Sequence, residues 1–254
     1  MSTIKSLGKA LRALETIADH QPIGVTQLAT LLEQPKSSVQ RILKSLEEIG
    51  WIQPSADEQT RWELTYRASR LAQKAGSHFG LRETVLPHME SLRRATGETV
   101  HLAVRDGNEM ILIERIESNH AIRHVEALGG RASVLVTATG KALLAQLSPA
   151  EQAEIHASAS VKLLDDFPGI QVPDLAALQT ELREIAARGY ATTTSWREGV
   201  YATGAAILDK HGRAVASISI STPESRMTDE KKKEHAQLLI EHCAQIRENG
   251  LGAH

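Results

Sequence analysis

The sequence predicts an α+β protein made of two unequal domains, and three observations predict it. Before residue 50, apolar residues recur at three- and four-residue spacing in three short segments, and two strand-like runs follow at once. Beyond residue 80, strands and helices mix without the regular alternation of a doubly wound parallel sheet. The 254 residues are enough to bury two separate cores.

The first helix is read over 7–18, where Leu7, Ala10, Leu11, Leu14, Ile17 and Ala18 share one face. Pro22 and Gly24 interrupt that pattern. A short second helix follows, with Thr26 as the expected N-cap and Leu28, Leu31 and Leu32 as its apolar side. The third helix starts either after Pro35 or at a Ser37–Gln40 capping box. Its buried stripe is Val39, Ile42, Leu43, Leu46 and Ile49, and Gly50 is placed to end it. Two strand-like runs, 51–53 and 60–64, flank the polar turn 54–59. Three short helices closed by a small hairpin is the plan of a winged helix-turn-helix. A further helix over 66–75 reads as a linker, so the expected division is 1–65, 66–79 and 80–254.

In the larger part, a helix carrying Leu86, Met89 and Leu92 ends near Gly97, and strands are expected over 99–105, 110–116 and 120–127. Thr137 opens a helix that runs through Leu144. Ser148-Pro149-Ala150-Glu151 combines an N-cap serine, an N1 proline and an N3 glutamate. Another helix spans 174–188 and stops at Gly189. Strands return over 190–194, 204–208 and 214–221, and a last helix runs over 228–246.

Composition narrows the function classes. Hydrophobic residues make up 41% and charged residues 24%, ordinary for a soluble globular chain. No apolar run approaches the roughly 20 residues of a membrane span, and the first residues contain no signal-peptide stretch. The single cysteine, Cys243, excludes an internal disulfide framework and fits a reducing cytoplasm. The net charge of −2 gives no global sign of nucleic acid. Residues 1–76, however, carry ten Lys or Arg against eight Asp or Glu.

The third helix presents Lys36, Ser37, Ser38, Gln40, Arg41, Lys44 and Ser45 away from its apolar stripe. Arginine and glutamine suit base edges, and lysine and serine suit phosphates. A solvated helix face is the plainer account, but the preceding helices and the hairpin favour DNA contact. Arg61, in the hairpin, is a candidate for phosphate or minor-groove contact and equally for hairpin solubility. Ala138-Thr139-Gly140-Lys141-Ala142 resembles the end of a phosphate-binding loop, but Leu135 and Ala142 replace its first glycine and its magnesium-binding hydroxyl. Nucleotide hydrolysis is therefore not expected. His120 and His124 lack companions for a metal site, Cys243 reads as a packing residue, and no catalytic constellation is recognisable. No cofactor is expected. In Ser217-Ile-Ser219-Ile-Ser221 the hydroxyls share one strand face and the isoleucines the other; taken alone, this favours a solvent-facing serine edge.

Taken together, Lys9-Ala-Leu-Arg-Ala-Leu-Glu, Leu28-Ala, Ser37-Ser-Val-Gln-Arg41-Ile-Leu-Lys-Ser-Leu and Gly50 resemble the N-terminal part of the IclR family of bacterial regulators. The resemblance continues through Gly97-Glu-Thr-Val-His-Leu-Ala-Val104, Thr137-Ala-Thr-Gly-Lys-Ala-Leu-Leu-Ala145, Gly189-Tyr-Ala and Ser217-Ile-Ser-Ile-Ser-Thr-Pro-Glu-Ser-Arg226. It implies a dimer, often a dimer of dimers, whose winged helices bind a palindromic double-stranded operator. It also implies a GAF-like effector domain, a central antiparallel sheet flanked by helices, that holds a small organic acid. By motif, Ala138, Thr139 and Gly140 form the roof of the effector pocket and Ser219 and Ser221 face into it, which turns the serines inward. Leu135 stands where the family often has histidine, Thr192, Thr193, Thr194, Ser195 and Trp196 where acids are common, and Ala202 and Ala206 near positions that sometimes carry cysteine. The expected pocket, with Leu135, Ser195, Trp196 and Ala202 among its lining, is thus more apolar than usual. It suits a carboxylic acid with an apolar body, which Trp196 can stack on. The expected protein is a cytoplasmic, effector-controlled transcription regulator of a catabolic operon and is not an enzyme. The competing reading is an enzyme or binding protein that uses the helix-turn-helix for protein contacts only.

Overall fold

The computed structural model describes residues 4–56, 60–74, 79–166, 171, 173–194 and 196–250. The chain divides into two compact units, Met1–Ser77 and His78–His254.

In the first unit, α1 (Lys5–His20), α2 (Val25–Leu31) and α3 (Lys36–Glu48) surround a core of Ile17, Leu28, Val39, Leu43 and Leu46. A three-stranded antiparallel sheet closes it, in the order β1 (Ile23–Gly24), β3 (Arg61–Leu64), β2 (Ile52–Pro54). The hairpin is thus joined by a third strand, β1, whose two residues carry no readable period. The local starts also differ from expectation. Gly24, not Thr26, caps α2, and Thr26 lies inside the first turn. Pro35 occupies the N-cap of α3 with no side-chain cap, so the Ser37–Gln40 box does not form. On α1, Ala13 and Ile17 are buried while Ile4, Leu7 and Leu11 remain exposed. Thr65 Oγ1 donates to the Gly50 carbonyl at 2.7 Å, fastening the exit of the wing. The helix α4 (Arg67–Lys74) follows.

The second unit is built on a six-stranded antiparallel sheet in the order β6-β5-β4-β9-β8-β7. Its strands are β4 (Thr99–Asp106), β5 (Glu109–Ile116), β6 (Arg131–Ser133), β7 (Ala191–Thr193), β8 (Val200–Leu208) and β9 (Ala214–Pro223). Period-two alternation gives the sheet two different faces. Val100, Leu102, Ile207, Ile218 and Ile220 pack against α5 (Phe79–Thr96) and α9 (Asp229–Asn249). The opposite face meets α6 (Ala138–Leu144), α7 (Pro149–Asp166) and α8 (Leu175–Arg188), whose core includes Leu135, Leu144, Leu178 and Leu182.

Helix ends follow the local chemistry. Ser148 and Glu151 exchange hydrogen bonds at the start of α7. Asp174 accepts from two amides of α8, and Gly189 ends that helix at φ 85°. A register shift between β4 and β5 turns Glu114 to the α5 side, where it pairs with Arg82.

The expected strand over 120–127 does not form. That stretch belongs to an irregular strap over 117–130, and β6 follows it. Side chains hold the strap where a ladder would have. Ser118 Oγ donates to the Gly97 carbonyl at 2.6 Å, Arg123 pairs with Glu117 at 2.9 Å, and Arg115 donates to the Glu126 carbonyl. Ile122, Val125 and Leu128 of this strap are exposed.

Candidate nucleic-acid interface and ligand cavity

The apolar side of α3 is fixed by Val39, Leu43 and Leu46. This leaves Lys36, Ser37, Gln40, Arg41, Lys44 and Ser45 exposed, with Ser38 half-buried. Lys44 lies 4.0 Å from Glu48 across two exposed side chains, a contact worth little in water. The far end of α3 is anchored by Arg67, which donates to the Ile49 carbonyl and stacks on Trp51 at 5.5 Å. Arg61 is half-buried in β3, and its guanidinium donates to the Pro22 carbonyl at 3.1 Å. It therefore serves the fold of the wing, unlike the α3 donors.

The second unit encloses a cavity of about 590 Å³, counting its open mouth, between the sheet and the start of α6. Clefts of this size hold small ligands. Of the residues expected there, Ala138, Thr139, Trp196, Ala202, Ser219 and Ser221 line it. Ser195 lies outside the described residues. Leu135 is fully buried in the helical core with Leu144 and Leu178 and is not on the lining, because the turn before α6 directs it away from the sheet. Gly140 is also off the lining. Its amide donates to Thr137 Oγ1 at 3.0 Å, so it is not available to a ligand. A Cβ at Gly140 would stand 2.2 Å from the Val134 carbonyl oxygen, so this glycine is there for close backbone packing. Gly204 does the same for β8, where a Cβ would come within 2.9 Å of the Ala138 backbone. The lysine of the loop-like run, Lys141, pairs with Glu181 on α8 at 2.9 Å.

Thr193, from the run expected to replace acids, is on the lining too, and several other lining residues escaped the sequence reading: His101, Ala103, Met110, Leu112, His124, Glu126 and Arg131. Alternation along β4 places His101 on the face opposite Val100 and Leu102, but only strand pairing brings it opposite Ser219. Its Nδ1 lies 3.2 Å from Ser221 Oγ, and its buried Nε2 has no hydrogen-bond partner. Burial first, then the neighbouring His124, pushes its pKa down to about 4, so the ring is neutral at pH 7. His124 lies edge-on to it, with centroids 5.9 Å apart, and bonds Glu126 at 3.1 Å. Arg197 reaches Glu126 from the other side of the mouth at 2.8 Å and lies 4.7 Å over the Trp196 ring. The hydrogen bond from His124, followed by that from Arg197, holds the Glu126 carboxyl down at about 2. Arg131 is committed to Glu109 at 2.8 Å and Asp106 at 3.2 Å. Met110, Leu112, Ala103, Ala202 and Trp196 supply apolar surface.

Other candidates resolve as structural. His120 is exposed while His124 turns to Glu126. Among the described residues no group of three or more His, Cys, Asp or Glu could hold a metal. Cys243 is buried in the α5–α9 core, where burial pushes its thiol up to about 12. No helix of the described residues is long and apolar enough to cross a membrane.

An exposed, donor-rich helix in a winged domain, joined to an α+β domain that encloses a ligand-sized cavity, is the makeup of an effector-controlled DNA-binding transcription regulator. Comparison with known proteins agrees in both halves. Residues 73–248 match the bacterial transcriptional regulator IclR C-terminal model, and residues 6–56 match the IclR helix-turn-helix domain. The HTH-type transcriptional regulator BhcR of Paracoccus denitrificans is 31% identical over 245 residues, 96% of this chain and 86% of the relative. The transcriptional repressor IclR of Escherichia coli is 28% identical, covering 96% and 89%. Among solved structures, the Thermotoga maritima IclR aligns with a TM-score of 0.75 at 28% identity, over 99% of this chain and 100% of that one. An IclR homologue from Microbacterium hydrocarbonoxydans, solved in complex with 4-hydroxybenzoate, aligns with a TM-score of 0.79 at 23% identity, over 96% and 98%. The chain belongs to the IclR family of bacterial transcriptional regulators. The relatives named here are regulators or repressors, not enzymes.

Proposed function

We propose that this protein works in the cytoplasm as a dimer, or a dimer of dimers, that binds a palindromic operator through α3 and controls a catabolic operon. Its effector, on this reading, is a small carboxylic acid with an apolar body. Residues 80–254 would form the effector domain, 1–65 the DNA-binding domain and 66–79 the linker. Lys36, Ser37, Ser38, Gln40, Arg41 and Lys44 would make the DNA contacts, with Arg61 at most supporting the wing.

The observation that carries the effector reading is the two-sided cavity. Ser219, Ser221, Thr139 and His101 make one stretch of the lining polar and Met110, Leu112 and Trp196 make another apolar, while Glu126, paired with His124, and Arg131, paired with Glu109, complete it. The carboxylate is assigned to the Ser219 hydroxyl and the amides of Ala138 and Thr139, which open α6 without intrahelical acceptors. The 4-hydroxybenzoate bound by the Microbacterium homologue supports an acid with a ring. The dimer reading is supported by Leu7 and Leu11, exposed on α1, and by Ile4, exposed at its N-cap.

Calorimetric titration with aromatic and short aliphatic acids tests the effector class. The expected result is binding of an aromatic or long-bodied acid that weakens in Trp196→Ala. Selective binding of a short hydrophilic acid, undiminished in that variant, would show the reading to be wrong.

A further inference from the structure

The polar wall of the cavity has two chemically different ends. Ser219 pairs with Gly204, whose backbone packs on Ala138 and Thr139, so that end sits at the opening of α6. Ser221, two residues further along β9, is engaged by His101 Nδ1 at 3.2 Å. His101 is the cross-strand partner of Ser219, and its ring leans from there to Ser221, so the two ends are set by the serines, roughly 7 Å apart along β9. His101 is on the cavity lining and only 6% exposed, and its Nε2 is buried and without a partner. A buried polar atom left unpaired costs free energy that a correctly placed ligand atom recovers.

We propose that His101 is a specificity-determining residue that reads a neutral hydroxyl or oxo oxygen on the effector, set about one ring's length from its carboxylate. The proposal rests on the cavity being the effector site. The pKa of His101, held near 4, keeps the ring uncharged at pH 7, and a neutral imidazole is a hydrogen-bonding partner rather than a counter-ion. Either tautomer serves. With Nδ1 accepting from the Ser221 hydroxyl, Nε2–H donates into the cavity; with Nδ1–H donating to Ser221, Nε2 accepts. A hydroxyl answers both states and a carbonyl the first. The ionised Glu126 on the same lining further disfavours a second negative charge beside His101. The effector class is thereby narrowed to acids that carry a distant neutral oxygen.

The test titrates the full chain with benzoate and its 2-, 3- and 4-hydroxy derivatives, in the wild type and in His101→Leu, His101→Gln and Ala202→Trp. The 4-hydroxy acid is expected to bind about tenfold tighter than benzoate, the effect of one net hydrogen bond. The 2-hydroxy acid, whose oxygen adjoins the carboxylate, gains nothing. His101→Leu erases the difference between benzoate and its 4-hydroxy derivative, whatever it does to benzoate itself, and His101→Gln, a neutral donor and acceptor, restores part of it. Ligand-free melting of each variant separates loss of fold from loss of selectivity. Ala202→Trp fills the cavity and removes all binding; binding that survives it defeats the cavity reading itself. Cavity-bound acids showing no preference for the distant hydroxyl overturn the His101 proposal alone. So does a preference that persists in His101→Leu, or a failure of every hydroxy acid to bind.

Discussion

Acidification from pH 7 to pH 5 is expected to destabilise the larger domain, and His101 supplies a defined share. Its pKa is about 4 in the folded protein against an ordinary 6.5. The unfolded chain therefore binds a proton through this window and the folded chain does not, so stability falls as the pH drops from 6.5 towards 4. At 1.36 kcal/mol for each pH unit the gap amounts to about 3 kcal/mol in full, of which about 2 kcal/mol is lost by pH 5. The groups facing His101 are His124 and Glu126 from the strap, Arg115 from β5 and Ser221 from β9. Glu126, at about 2, titrates below this window and is lost only as the pH falls from 4.5 towards 2. His235, His88 and His242, all lowered chiefly by burial, add to the same trend, so the comparison must be with His101→Gln. The assay is urea unfolding followed by fluorescence in a Trp51→Phe/Trp62→Phe background, where Trp196 alone reports on this domain. The wild type should lose about 2 kcal/mol more than His101→Gln between pH 7 and pH 5. Equal losses in the two proteins would refute the argument that His101 is buried and neutral.

Four further outcomes are expected. Arg41→Ala and Lys44→Ala should each weaken operator binding by about 1–3 kcal/mol without lowering the melting temperature, since both side chains are exposed; unchanged gel-shift affinity in both removes α3 as the reading helix. Arg226→Met should cost about 3 kcal/mol or more by stranding Glu98, which is 1% exposed and bonded to Arg226 at 2.7 and 2.9 Å. Adding Glu98→Gln should recover much of that loss in denaturant titration, and no recovery would place the cost elsewhere. Gly140→Ala should cost about 3 kcal/mol, because the nearest atoms are Val134 backbone and cannot rotate away; a melting temperature unchanged from wild type would contradict that packing. The fragment 80–254 should fold and bind ligand but not DNA, since its two cores draw on no residue before Leu81; an insoluble or ligand-blind fragment would contradict it.

What the sequence makes legible here is what is local. The Ser148–Glu151 box, the Asp174 cap, the Gly189 stop and the alternating Ser217–Ser221 strand each declare themselves within a few residues, and the structure has all of them. The strand expected over 120–127 is an irregular strap instead, because what holds it comes from Gly97, Arg115 and Thr99, distant or non-alternating in sequence. His101 was passed over for the same reason. Its face is readable from period two, but its meaning depends on a partner 120 residues away. Leu135 was assigned to the cavity by motif position alone, and the direction of the turn before α6, which no periodicity encodes, carried it into the helical core.

The place of β9 in the sheet has a mechanical consequence. It is an inner strand between β4 and β8, with Ser219 and Ser221 on one side and Ile218 and Ile220 on the other. A ligand that presses on the serines presses on a thin partition whose far side is already filled. Close-packed interiors have low compressibility and hand displacement on rather than absorb it. Ile218 and Ile220 share their core with Leu81, Val85, Met89 and Leu92 of α5, so a push of a few tenths of an ångström at the cavity arrives at the helix by which the chain enters this domain.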